Sequence, residues 1–138
     1  MPHPIRSCRF LVLGLLIGCG GGRPSTSDPG PPPPHGGNLV VMPEEKGFVE
    51  VVHKPGTPAG TASPEVTFYF LRGNSRPYSP APAAGTLAVG KSRKLTLTAQ
   101  DGGLATPPGP RLFQEGEVDG ILEVDLDGKP TKIPLGIR

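Results

Sequence analysis

Tryptophan is absent from this chain, and cysteine occurs only at positions 8 and 19. Two cysteines allow at most one disulfide, so no disulfide framework holds the fold together. Aromatic residues make up only 5% of the sequence, which limits the bulk available to a core. No apolar run approaches the roughly 20 residues that a membrane-spanning helix needs. Several catalytic signatures are missing too: G-x-S-x-G, H-E-x-x-H, a P-loop, and G-x-G-x-x-G after a strand. Each works by placing a nucleophile, a metal or a phosphate cradle at a fixed spacing. Nothing in the sequence therefore points to a reaction, and the expectation is a non-enzymatic protein that needs no cofactor.

The amino-terminal segment is more informative. Arg6 and Arg9 precede the apolar run Leu11 to Gly18, and small residues follow. A short positive region, a short apolar region and a small-residue boundary are the layout of a secretory signal peptide. The end of the run, Leu16-Ile17-Gly18-Cys19, resembles the lipobox of bacterial lipoproteins. That resemblance implies cleavage between Gly18 and Cys19, and lipidation of Cys19, with palmitate as a usual acyl donor. It places the chain in the cell envelope, anchored to a membrane by lipid. Gly20, where an Asp would favour the inner membrane in Gram-negative families, points to the outer one. Several acyl chains make such anchoring persistent, whereas one alone is marginal. Cys8 leaves with the signal and Cys19 carries lipid, so no thiol remains for a disulfide or a cysteine zinc site.

Residues 20–37 read GGGRPSTSDPGPPPPHGG and contain no aliphatic or aromatic side chain. Glycine gives flexibility, and the proline run favours extended polyproline II. At about 3.1 Å per residue such a tether reaches roughly 50 Å. Three parts are therefore expected: a signal at 1–18, a lipidated cysteine with its tether at 19–37, and a domain at 38–138. Without residues 1–18 the chain carries 12 basic and 12 acidic residues, and that neutrality gives no reason to expect nucleic-acid binding.

From Asn38 onward, β-branched and aromatic residues recur in short runs between Gly/Pro-rich breaks. Strands are expected at Leu39–Met42, 47–54, 65–72, Thr86–Val89, 94–100, 120–126 (from near Glu117 at the earliest) and 131–138. The breaks KPGTPAGTASP, GNSRPYSPAPAAG and DGGLATPPGPR read as loops. Alternation puts Leu95 and Leu97 on one side of their strand and Thr96 and Thr98 on the other. It likewise separates Leu122, Val124 and Leu126 from Glu123, Asp125 and Asp127. Strands with one polar face suit antiparallel sheets. The expected class is all-β, a small antiparallel β-sandwich, Ig-like or related. Asp127-Gly128 reads as a hairpin turn, and Pro134 marks an edge or bulged strand.

His35 and His53 are the histidines that survive processing, and imidazole makes them the candidate metal ligands, with Met42 as a soft third. Alternation sets His53 on the same side as Val49 and Val51 and Glu50 on the other, so Glu50 and His53 are not a local chelate. His35 and His53 meet only if tertiary folding brings them together. Metal handling in the periplasm by these two residues is the alternative function. The row Glu123, Asp125, Asp127 has a spacing of roughly 6.5–7 Å, too open to converge on one cation. It reads as a solvated face. Residues 65–111 carry six bases against two acids, and residues 112–138 six acids against three bases. Cross-strand pairing explains this asymmetry best, with a basic patch for anionic glycans or headgroups as the other reading. The whole layout also resembles small lipoproteins of planctomycete-type bacteria, through LIGCGGG, the Pro-rich tether, HGG before the first strand, GFVEVV, and a closing G-x-L-x-V-x-L-x-G-K strand pair. That group brings no activity with it. The expectation is a lipid-anchored β-domain serving binding or envelope structure, with an envelope protein or a glycan as partner.

Overall fold

The computed structural model describes residues 31–54, 65–108, 113 and 117–137. The signal and cleavage residues, Gly18 and Cys19 among them, and the break at 55–64 lie outside the described residues.

Among the described residues eight strands form: β1 (Asn38–Val41), β2 (Phe48–His53), β3 (Val66–Leu71), β4 (Ala84–Val89), β5 (Arg93–Gln100), β6 (Gly103–Ala105), β7 (Val118–Leu126) and β8 (Lys129–Ile137). A single 3-10 turn at Pro43–Glu45 joins β1 to β2. All pairings are antiparallel, in the order β1-β2-β3-β6-β5-β4-β7-β8. The all-β antiparallel class is as the sequence predicts. Strands β1–β3 make one part of the sheet, and β5, β4, β7 and β8 make the other. The short β6 bonds to both parts, through Thr67↔Ala105 on one side and Thr98↔Ala105 on the other. One correction follows: DGGLATPPGPR is not loop throughout, because Gly103–Ala105 pairs as β6. Three residues are too few to show an alternating pattern, and the Asp-Gly-Gly start masks the strand.

One face of every strand turns to a common core. Val49, Val51, Phe68 and Phe70 come from β2 and β3, and Leu87, Leu97, Leu122 and Ile133 come from the other half. Leu122 lies directly between its partners Leu87 and Ile133, and all three are fully buried. Leu122, Val124 and Leu126 are buried, while Asp125 and Asp127 are exposed, so the expected division of faces in β7 is the observed one.

Two tight hairpins come from Asp-Gly pairs. Asp127-Gly128 (φ 51° and 75°) joins β7 to β8, and Asp101-Gly102 (φ 50° and 81°) joins β5 to β6. Positive φ at both turn positions is the twist that two-residue hairpins need. Strand β8 is an edge strand, as Pro134 implies. The polar groups at one end of the sheet tie the halves together. Arg72, just after β3, forms a two-pronged ion pair with Asp127 at 3.1 and 3.0 Å. The same guanidinium lies 4.3 Å from the ring centre of Tyr78. Tyr78 donates its hydroxyl to the Lys46 carbonyl at 2.7 Å.

Candidate functional site: a clasp between the linker and the sheet

The site begins with a charge in an apolar strand. Glu50 lies at the centre of β2 and is fully buried. A buried carboxylate survives only when its oxygens are hydrogen-bonded or paired. Here the donors come from the residues before β1. The backbone N–H of His35 donates to Oε1 at 2.7 Å, and that of Gly37 donates to the same oxygen at 2.9 Å. The His35 ring places Nδ1 2.8 Å from Oε2. Which of these two atoms donates depends on the tautomer of the ring.

Alternation explains where this cluster sits. Val49, Val51 and His53 face the core, and Glu50 faces outward beside its cross-strand partner Tyr69. The His35 ring covers Tyr69, with centroids 3.7 Å apart and planes 9° apart. Gly37 passes so close to β2 that a Cβ there would meet the Val51 carbonyl oxygen at 2.5 Å. HGG is therefore a clasp: imidazole for the carboxylate and the tyrosine face, and glycine for close approach. Burial, and after it the carboxylates of Asp101 and Glu50, push the Tyr69 phenol up from its ordinary value.

His53 lies in a separate environment on the core side. Its Nε2 is 3.4 Å from Glu65 Oε1, an oxygen that also accepts the Phe113 N–H at 3.0 Å. Phe113 meets the His53 ring edge-on. The other ring nitrogen, Nδ1, is buried and has no hydrogen-bond partner among the described residues. The structure thus sets His35 and His53 on opposite faces of β2, each with its own carboxylate, and does not bring them together. Met42 is packed into the core. Among the described residues, no group of three or more His, Cys, Asp or Glu side chains is placed to hold a metal ion.

The acidic row is divided among three basic partners. Glu123 meets Lys132, its direct cross-strand neighbour, at 3.1 Å, and Lys94 at 3.4 Å. Hydrogen bonds from Lys132 and Lys94 hold the Glu123 carboxyl below the usual carboxylate range. Asp127 belongs to Arg72, and Asp125 remains exposed. Lys94 and Arg72, bases of residues 65–111, thus pair with Glu123 and Asp127 of residues 112–138, but not across neighbouring strands: β4 lies between Lys94 and Glu123, and the neighbouring-strand pair Glu123–Lys132 falls within 112–138. Lys94, Glu123, Asp125 and Lys132 also line an open groove of about 410 Å³ with Thr86 and Thr96.

The sequence pointed to His35 but not to its partner. The available signal was Glu50 itself, an acid in the middle of FVEVVH, five residues of which are apolar or aromatic-like. Tyr69 carried no separate signal within TFYF. No protein-family model matches the chain, and no curated protein or solved structure is significantly similar to it.

Proposed function

We propose that this chain is an exported lipoprotein, anchored to a membrane through Cys19, whose β-domain is a non-enzymatic module for binding or envelope structure. The observation that carries this reading is the clasp. The segment that leads from the lipobox-like run to the sheet ends in two residues, His35 and Gly37, that make three bonds to a buried carboxylate. An unimportant leader would not need a charge buried in the sheet to receive it, since burying one is costly unless it is paired. The clasp gives the tether a defined point of departure on the outer face of β2. The same bonds assign the His35–Glu50 pair a holding role, and Glu123 and Asp127 are engaged in ion pairs. These polar groups serve architecture, which fits a module that presents a surface.

The anchoring half of the reading is tested by Cys19→Ser. Metabolic labelling with palmitate should mark the wild-type chain and leave the variant unmarked, in an unprocessed or released form. Label retained at wild-type level in Cys19→Ser would remove the anchor from the account.

A further inference from the structure

The two edges of the sheet are built differently. In β8 the two-residue turn makes Leu126 and Lys129 the first hydrogen-bonded pair, so the pairs Asp125↔Pro130 and Ile121↔Pro134 fall at non-hydrogen-bonded positions. Both prolines therefore place their missing N–H on the side away from β7, with Lys132 between them, and the 3-10 turn after β1 meets this strand where Lys46 Nζ donates to Thr131 Oγ1 at 3.2 Å. Prolines and a lysine on an outer edge are means of preventing strand addition.

Strand β1, with sequence NLVV, carries neither proline nor lysine, and only its length of four residues limits strand addition. The Met42 N–H donates to the Gly47 carbonyl at 2.9 Å, which sets the phase of the β1–β2 ladder. Asn38 and Val40 therefore bond to β2, and Leu39 and Val41 direct their N–H and C=O groups to the free edge. Val41 is also the most exposed large apolar residue among those described, at 68%.

We propose that β1 is a self-pairing edge, to which a second copy of this chain adds by its own β1 in antiparallel register. The edge is self-complementary. With Val40 opposite Val40 of the second copy, Leu39 and Val41 form two hydrogen-bonded pairs with Val41 and Leu39 of that copy. Val41 is then covered by a cross-strand leucine, which accounts for its exposure in the single chain. The guarded β8 edge ends the sheet on either side, so the product is a closed two-fold dimer and not a fibre.

The area joined by four-residue strands is well below the roughly 1,200 Å² of a stable interface, so pairing is weak in free solution. Here the inference rests on the tethered reading: two copies held on one bilayer meet at a much higher effective concentration. The geometry permits this. The two-fold axis of an antiparallel strand pair runs perpendicular to the sheet, so both outer faces, and both clasps, lie on the same side.

Val40→Cys tests the pairing, because Cα atoms opposite one another at a non-hydrogen-bonded position are about 4.5 Å apart, within disulfide range. The variant is made in the full chain, reconstituted in phosphatidylcholine vesicles and oxidised mildly. It is also made with Cys19→Ser and oxidised in solution at high concentration, with Cys8→Ser in both preparations so that position 40 holds the one free thiol. The expected result is a disulfide-linked dimer whose yield falls about tenfold when Val41→Lys is added, since a lysine guards the edge as it does in β8. Lys132→Cys, on the guarded edge, should stay monomeric. A crosslink insensitive to Val41→Lys in both preparations, or none in either, would overturn the pairing. A Val41-sensitive crosslink of equal yield in both preparations would support the edge and count against the membrane's part in it.

Discussion

Replacing Glu50 by alanine should destabilise the domain by about 2–5 kcal/mol, the range for leaving buried partners of a charged group unpaired. The variant removes the acceptor of the His35 and Gly37 N–H groups and the partner of the His35 ring in one step. It also opens a space beneath the stacked His35 and Tyr69 rings. Glu50→Gln is the informative control. Its carbonyl oxygen still accepts both N–H groups, and the His35 ring can present Nδ1 as an acceptor to the new amide. The loss should therefore be clearly smaller than for alanine. Thermal unfolding measures the difference, since 1 kcal/mol moves the midpoint of a domain this size by about 4–8 °C. Hydrogen exchange locates it: the His35 and Gly37 amides should lose protection in Glu50→Ala, while the core of β7 keeps its own. A Glu50→Ala protein within about 0.5 kcal/mol of wild type would mean that the clasp contributes nothing, since that is the range of ordinary surface changes.

The second large effect belongs to the core. Leu122→Ala should cost about 2–5 kcal/mol, because it removes buried carbons between Leu87 and Ile133 and leaves a cavity that two paired strands cannot close. Asp125→Asn, three positions along on the opposite face, should stay within about 0.5 kcal/mol. Chemical denaturation of the two variants separates the faces of β7 cleanly. A large loss from Asp125→Asn would show that the acidic row is bonded or holds a cation, and a midpoint raised by added Ca²⁺ would identify the cation.

Much of this architecture was legible because strand signals are local. The run VTFYFL announces β3 by composition, and ILEVDL announces both β7 and its faces by alternation. Asp127-Gly128 and Pro134 predict a hairpin and an edge for reasons of backbone geometry alone. Strand β6 escaped because three residues carry no period, although it is the link between the halves of the sheet. The clasp escaped for another reason. Alternation placed Glu50 outward, and an outward acid reads as solvated. Only the return of His35–Gly37 across β2 buries it, and that return is a tertiary event without a local mark. The same holds for Arg72 and Asp127, 55 residues apart in sequence and joined by a two-pronged ion pair. The paired histidines of the metal alternative were drawn from residue type, and strand parity in three dimensions separates them.

We propose that a lipid-bearing Cys19 begins the processed chain and that a clasped tether joins it to the β-domain. Intact-mass spectrometry of the full-length gene product recovered from the membrane fraction tests this most directly. The account predicts a chain that begins at Cys19 and carries the added mass of acyl groups on its first residue. A chain that retains residues 1–18, or one that begins elsewhere with an unmodified cysteine, would contradict it.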